Sequence, residues 1–211
     1  RRLDKAEASF RRATTLNPDY AEAHSNLGAT LKELGGLHEA EVSYRQAIAL
    51  KADFVEAYSN MGNTLKELGR LEEAEANHVK AIVLKPDLAD AHNNLGSTLR
   101  EFGRLDDAET SYSRAVAVKP DFTDALMNKW QILFDKKEYT AALRCADLCN
   151  TEDSRACSLE TLLALGRIDE IYKRIEKQAD LDDGNLRMAA LSSFISEREK
   201  KNTAHKFCQN P

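Results

Sequence analysis

The sequence is poor in the residues that build loops, cross-links and membrane spans. Its 211 residues include only four prolines and nine glycines, too few for a loop-rich or β-rich architecture. No apolar run approaches the roughly 18 residues that a membrane-spanning helix needs, and no signal peptide with an apolar centre is present. Because alanine, leucine, glutamate and lysine dominate instead, the composition predicts a helical protein with no membrane partner.

The four cysteines all fall in the C-terminal half of the chain, at Cys145, Cys149, Cys157 and Cys208. This distribution is not that of a disulfide framework in a short secreted domain, so we expect reduced thiols and a cytoplasmic, intracellular location. Cys145 and Cys149 are four residues apart and would share a metal ion only with further ligands, so structural thiols are the favoured interpretation. We expect no metal and no cofactor.

The sequence also has no excess of positive charge, since 30 Lys and Arg stand against 35 Asp and Glu for a formal net charge of -5. Nucleic-acid binding relies on clustered Lys and Arg, so the balance argues against a nucleic-acid partner and favours a protein or peptide partner. The oligomeric state is left open. The chain begins at Arg1 in the middle of a pattern, so we expect it to be a fragment of a longer protein.

Three stretches of the chain are nearly the same sequence. Residues 21–54 begin AEAHSNLGATLKELG, 55–88 begin VEAYSNMGNTLKELG, and 89–122 begin ADAHNNLGSTLREFG, which is a period of 34 residues. In the first stretch, Leu27 and Leu31 lie on one face of a helix that Gly35 ends, and residues 37–50 carry a second apolar stripe. The pattern predicts a unit of two helices, here called helix A and helix B.

Small residues recur inside the predicted units. Gly28, Gly62 and Gly96 lie on helix A, and we expect them to face the alanines of helix B, such as Ala40, so that the two backbones approach closely. At the junctions between units, Asp19 and Asp53 are expected to cap the next helix A. Ala52 replaces the proline of the other junctions, and we expect no break there.

The period, together with the leucine, glycine, alanine, aromatic and proline positions, resembles the tetratricopeptide repeat. The resemblance implies an all-α fold, a right-handed α-solenoid of tetratricopeptide helix-turn-helix repeats with a C-terminal capping helix. Residues 1–20 would be the second helix of a truncated repeat, 21–122 three regular units, 123–180 two degenerate helical repeats, and 181–211 the capping helix and tail. Trp130 replaces the glycine, so the helices of 123–150 are expected to sit wider apart or rotated.

An asparagine recurs on helix A of each unit, at Asn26, Asn60, Asn94 and Asn128. These positions lie off the apolar stripe that faces the core. The ladder resembles the repeat region of the O-linked N-acetylglucosamine transferase family, and the resemblance implies that the asparagines line a concave groove and bind the backbone of an extended peptide. An amide both donates and accepts, which suits main-chain recognition. The alternative is that these residues are merely tolerated on an exposed face or bond to neighbouring helices.

Charged residues flank the asparagines on helix A. Acids fall near the helix starts at Glu22, Glu56, Asp90 and Asp124, and near the helix ends at Glu33, Glu67, Glu101 and Asp135, with bases beside the second set at Lys32, Lys66 and Arg100. Helix-dipole electrostatics explains the first set and the bases as well as ligand binding does. The second set stands at the unfavourable end of the dipole. We therefore predict a peptide-binding set that adds Asn63, Lys32, Lys66, Arg100, Glu33, Glu67 and Glu101 to the ladder.

No residue pattern in the sequence predicts catalysis, since a phosphate-binding loop, a metalloprotease motif and a nucleophile elbow are all missing. His24, His78 and His92 occupy repeat positions shared with tyrosines, so we interpret them as packing residues. The predicted function is a peptide-binding scaffold, the recognition arm of a larger protein and not an enzyme. The alternative is an assembly or self-association scaffold that uses the convex face or the C-terminal helix. Residues 168–185 and 194–211 resemble the linker of repeat proteins fused to a 2-oxoglutarate and iron oxygenase-like domain.

Overall fold

The computed structural model describes residues 2–149 and 151–178, and these form eleven α-helices. The helices are α1 (Arg2–Leu16), α2 (Ala21–Glu33), α3 (Leu37–Leu50), α4 (Val55–Glu67), α5 (Leu71–Leu84), α6 (Ala89–Glu101), α7 (Leu105–Val118), α8 (Thr123–Asp135), α9 (Tyr139–Leu148), α10 (Glu152–Ala164) and α11 (Ile168–Gln178). The chain divides into two compact units, 1–155 and 156–211. The predicted all-helical repeat fold is confirmed, whereas the predicted capping helix lies outside the described residues.

In the first compact unit, α2 to α9 form four successive helix pairs in which each helix packs on the next. In the first three pairs, helix A has 13 residues and helix B has 14. Helix α9 has only 10 residues, so the fourth pair is shorter on one side. Equivalent helices begin at the same place in the 34-residue period because the same core letters and turn residues recur there.

The turn between helix A and helix B is the same in all four pairs. Gly35 has a φ of 83°, and the backbone N–H of Gly36 returns to the carbonyl of Leu31 at 2.9 Å. This is a Schellman ending, which needs a left-handed residue and therefore favours glycine. In the fourth pair Lys137 adopts that conformation, with a φ of 64°. The turn is thus kept even where the glycine is lost, at a conformational cost of about 1 kcal/mol.

The junctions between pairs differ from the expectation in one respect. Tyr20 and Phe54, not Asp19 and Asp53, are the residues that precede α2 and α4, and no side chain caps either helix. The junction instead contains a tight turn, in which the N–H of Phe54 donates to the carbonyl of Lys51 at 3.1 Å. The junction at Pro18 has the same turn, in which the N–H of Tyr20 donates to the carbonyl of Asn17 at 3.2 Å. The turn therefore does not need a proline at position 52, and the prediction of an unbroken junction is confirmed.

The glycines of helix A face aromatic rings on helix B and not the alanines of that helix. A Cβ atom added at Gly28 would lie 2.9 Å from Cε1 of Tyr44, and one added at Gly96 would lie 2.7 Å from Cε1 of Tyr112. Both tyrosines are buried, Tyr44 in one cluster with Ala40 and Tyr112 in another with Ala108. The expectation that the glycines face alanines was therefore wrong, because the ring of the facing helix B fills the space that each glycine leaves. The close approach of the two backbones stays a prediction.

The second compact unit is described over 156–178. Gly166 has a φ of 69° and separates α10 from α11. Leu162 and Ile171 are buried, and the guanidinium of Arg174 donates to Oγ of Ser158 at 2.5 Å. The predicted glycine turn at Gly166 therefore joins two helices, as the glycine turns of the regular units do.

Candidate functional site

The first helices of the four pairs, α2, α4, α6 and α8, share a polar surface that we call the helix A face. It carries the first-turn acids, the asparagines and the last-turn charges, which recur along one side of each helix. Side chains bond across it from one helix A to the next, as Lys32 Nζ does to Glu67 Oε1 at 2.8 Å and Lys66 Nζ to Glu101 Oε1 at 3.3 Å. The helix A face is therefore a continuous surface over the four pairs.

The four asparagines of the ladder lie on this face but differ in their bonding. Asn26 is exposed and Asn60 is half-buried, and neither side chain forms a hydrogen bond with any described residue. Asn94 donates through Nδ2 to Oγ of Ser59 at 3.3 Å, which leaves its carbonyl oxygen open. The ladder thus begins with two amides that are available to a ligand.

Asn128 is occupied at both ends of its amide. Its Nδ2 donates to Oδ1 of Asn93 at 3.2 Å, and its Oδ1 accepts from Arg100 at 3.2 Å. The alternative interpretation, that asparagines bond to neighbouring helices, therefore holds for Asn128 and in part for Asn94. Sequence reasoning could not separate the two halves, because the four residues stand at the same position of the repeat.

The bases of the predicted set are engaged within the protein. Besides its ion pair with Glu101, Lys66 donates to Oγ of Ser97 at 3.0 Å, and Ser97 occupies the repeat position of Asn63. Asn63 itself is half-buried and has no side-chain hydrogen bond with a described residue. Glu33 is exposed and forms no ion pair within the described chain. The sequence did contain a signal for these pairs, since each lysine precedes its glutamate partner by 35 residues.

The joints between pairs contain an ionic contact that sequence reasoning missed. The carboxylate of Glu41 is buried, with 5% of its side chain exposed, and Oε1 accepts from Arg45 at 2.5 Å and from Arg70 at 2.7 Å. Arg104 pairs with Glu75 at 2.9 Å one unit later. The hydrogen bonds that Arg70 donates to Glu73 and Glu41 raise the pKa of its guanidinium, so Arg70 stays charged at any pH of interest. These contacts stabilise the array and leave the helix A face free.

The histidines have two different roles. His24 and His92 contact the carbonyl oxygens of Pro18 and Pro86 through Nε2, each at 2.9 Å, and so close the proline junctions. His78 is fully buried at the position of Tyr44, and its two ring nitrogens have no hydrogen-bond partner among the described residues. Burial, followed by the charge of Lys66, lowers the pKa of His78 to about 4. All three residues therefore serve the structure.

Three of the four cysteines lie in the part of the chain that the structure describes. Cys145 and Cys149 are buried free thiols and Cys157 is a half-buried one, whereas Cys208 lies outside the described residues. Burial raises the pKa of Cys145 and of Cys149, which disfavours the reactive thiolate. Over 2–149 and 151–178, no three His, Cys, Asp or Glu side chains come together as a metal site would require. In the same part of the chain, no helix has the length and apolar character to cross a membrane.

A cleft of about 260 Å³ lies between α7, α8 and α9. Its floor is Leu126, Lys129 and Leu133, and its walls include Val116 and the exposed Leu148. Lys129 stands where the other units carry Leu27, Met61 or Leu95. The cleft is lined by one helix A, α8, and two B helices, α7 and α9, and none of its lining residues belongs to the charged and asparagine positions of the helix A face.

Stacked helix pairs with a shared core and a polar face define the class of helical-repeat interaction scaffolds. Family models described as tetratricopeptide repeat match residues 53–121, and those described as TPR repeat match residues 2–35 and 33–69. The matches together run from residue 2 to residue 121, more than half of the chain. The chain belongs to the tetratricopeptide-repeat family, whose members are generally non-catalytic protein-interaction scaffolds.

Several solved structures have the same fold. PilF of Pseudomonas aeruginosa is 20% identical with a TM-score of 0.72, and the match covers 91% of this chain and 90% of that one. MamA is 22% identical with a TM-score of 0.63, covering 78% and 91%. YrrB, a TPR protein with an unusual peptide-binding site, is 22% identical with a TM-score of 0.63, covering 89% and 100%. These identities establish the fold alone. Comparison with curated proteins found no significant match.

Proposed function

We propose that this chain binds an extended polypeptide in a concave groove formed by the helix A face, as the recognition arm of a larger protein. The observation that carries the proposal is the recurrence of asparagine at one position of four helices, with Asn26 and Asn60 unpaired. An unpaired amide can donate to a main-chain carbonyl and accept from a main-chain N–H whatever the ligand side chains are. YrrB, which shares the fold, is described as binding peptide, and this supports the proposal.

The expected affinity is modest. Each hydrogen bond contributes about 0.5 to 1.5 kcal/mol net, while association opposes binding by at least about 4 kcal/mol. Two open amides are therefore insufficient by themselves, and the surrounding face must add contacts. Tethering of the ligand near a fused domain would raise its effective concentration and so supply useful occupancy.

The test compares the open and the bonded halves of the ladder. Peptides selected by the intact protein from a random library are titrated by calorimetry against N26A/N60A, against N94A/N128A and against the fourfold variant. We expect N26A/N60A to weaken binding by about 2 kcal/mol, or about 30-fold, with unchanged helix content. We expect N94A/N128A to lower stability as well, since it removes bonds between helices.

Equal affinity of the wild type and the fourfold variant would exclude the ladder as a binding site. The alternative function, self-association, is supported by three exposed apolar residues on the B helices α3, α5 and α9. Val42, Val83 and Leu148 are 65%, 66% and 63% exposed. Sedimentation of the same samples over a range of concentrations separates the two functions, because only assembly makes the molecular mass rise with concentration.

A further inference from the structure

The charges on the helix A face are unequal in number. It carries eight exposed carboxylates and only three basic side chains, and the carboxylates are Glu22, Glu33, Glu56, Glu67, Asp90, Glu101, Asp124 and Asp135. Its three bases are Lys32, Lys66 and Arg100. A groove lined mainly by one sign of charge attracts the opposite sign, because the low-dielectric walls focus the field.

The three bases are all engaged with residues of the face itself. Lys32 and Lys66 neutralise Glu67 and Glu101, and Arg100 donates to the amide oxygen of Asn128. One further carboxylate is matched from outside the face, since Lys51 contacts Glu22 at 3.2 Å. The remaining five carboxylates form no ion pair with any described residue, and they are Glu33, Glu56, Asp90, Asp124 and Asp135. Unmatched negative charge therefore extends along the whole face.

A second observation, independent of charge, marks the step between α2 and α4. Ser25 is only 5% exposed and stands at the position of Ser59, which accepts from Asn94 in the next step. Unlike Ser59, Ser25 forms no side-chain hydrogen bond within the described residues, and neither does Asn60, the counterpart of Asn94. This step thus combines a nearly buried unpaired hydroxyl with unpaired amides, beside the unmatched carboxylate of Glu56.

We propose that the polypeptide bound by the helix A face is basic, with Lys or Arg side chains that meet the unmatched carboxylates while its main chain meets the amides. This inference rests on the proposed function. Neighbouring packed helices lie about 8 to 10 Å apart, and an extended chain rises about 3.3 Å per residue. One unit therefore spans about three ligand residues, and a basic residue at every third position matches the array.

The test uses three peptides of about twelve residues, a length that covers four units at this spacing. Their repeating sequences are Lys-Ser-Ala, Gln-Ser-Ala and Glu-Ser-Ala, all with blocked ends. Binding is followed by fluorescence anisotropy at low salt and at about 0.3 M salt, where exposed charges are largely screened. We expect the Lys peptide to bind about tenfold more tightly than the Gln peptide at low salt. This advantage should shrink at high salt, and the Glu peptide should bind most weakly.

A matched pair of variants separates the face from the net charge of the protein. E56Q/D90N removes two unmatched carboxylates from the first turns of α4 and α6. The control E39Q/E72Q removes two exposed carboxylates from the first turns of α3 and α5, with the same charge change and the same place relative to the helix dipole. We expect only E56Q/D90N to reduce the advantage of the Lys peptide over the Gln peptide.

The outcomes distinguish this inference from the function on which it rests. Equal binding of the Lys and Gln peptides, or equal effects of the two variants, overturns the basic ligand. The proposed function then still stands if N26A/N60A weakens the Gln peptide. If none of the three peptides binds the intact protein, the inference and the proposed function both fail.

Discussion

The first three helix pairs and the fourth solve the same packing problem in opposite ways. In the regular pairs helix A provides a glycine and helix B provides a ring, as in Gly96 and Tyr112. In the fourth pair helix A provides Trp130, which is 7% exposed, and helix B provides the small Ala146, which is 2% exposed. The ring has changed sides, and Phe134 lies against it with ring centroids 5.1 Å apart. A repeat can therefore lose its signature glycine and still bury an aromatic ring if the facing residue becomes small.

The largest effect is expected from moving this inversion into a regular pair. The single variants G96W and Y112A should each lower the free energy of unfolding by about 3 kcal/mol, through overpacking and through a cavity respectively. The double variant G96W/Y112A should recover about 2 kcal/mol relative to their sum, because the new ring occupies the space of the old one. Urea unfolding followed by circular dichroism measures all three.

Exposed Ala49 on α3 provides the control, since A49W adds the same side chain without burying it. The change should leave stability nearly unaltered. Strict additivity of G96W and Y112A would contradict the exchange of ring positions and would mean that the fourth pair is packed by some other means. The predicted wider or rotated placement of 123–150 stays a prediction, and a structure of the double variant would test it.

A smaller effect is expected within the regular pairs, where His78 replaces the tyrosine. Its folded pKa of about 4 lies below the ordinary 6.5, so the unfolded chain takes up the proton first as the pH falls. Stability from this residue is complete above pH 6.5 and is lost toward pH 4. Between pH 7 and pH 5 the loss should reach about 2 kcal/mol, and H78Y should not show it. Parallel stability curves for H78Y and wild type, measured over this range, would exclude the buried neutral imidazole as the cause.

The smallest difference is expected between two arginines at the joints between pairs. Arg70 and Arg104 occupy one repeat position, but the partner of Arg70 is the buried Glu41 and that of Arg104 is the more exposed Glu75. R70M should lower the free energy of unfolding by about 2 kcal/mol, with Arg45 left to compensate part of the buried charge. R104M should lower it by less than about 1 kcal/mol. Thermal unfolding of the two variants measures the difference. Equal losses of stability would show that the burial of Glu41 does not strengthen its ion pair with Arg70.

Helix boundaries were predictable from the sequence because each depends on local signals that repeat. The turn at Gly35 and the apolar stripe of residues 37–50 predict where helix B begins and ends, and α3 has those bounds. The filling of the glycine socket was not predictable, because it depends on a contact between residues 16 positions apart on two helices. A small residue reveals that space is needed but not which side chain enters it.

The site shows the same division. That the asparagines share one helix face followed from their period, since α2, α4, α6 and α8 repeat at that interval. Which of them are open did not follow, because the bond of Asn94 to Ser59 and the absence of one at Asn60 depend on the side-chain conformations of equivalent residues. The pairing of Lys32 with Glu67 could have been predicted from their spacing of 35 residues, which Lys66 and Glu101 share. The sequence analysis predicted instead that both residues contact a ligand.

The hydrogen bonds and ion pairs that join successive A helices are formed between side chains on the helix A face. Each of them, such as Lys66 to Ser97, can be exchanged for water singly, with a small free-energy change and no loss of helix. Ion pairs on this edge, such as Lys32 to Glu67, weaken as salt rises, because exposed charges are screened. The apolar core that joins the units does not depend on salt in this way, since Leu27 and Leu31 are buried in one cluster with Leu65 of the next unit. Ionic strength therefore changes the bonds along the helix A face, while the shared core holds successive units together.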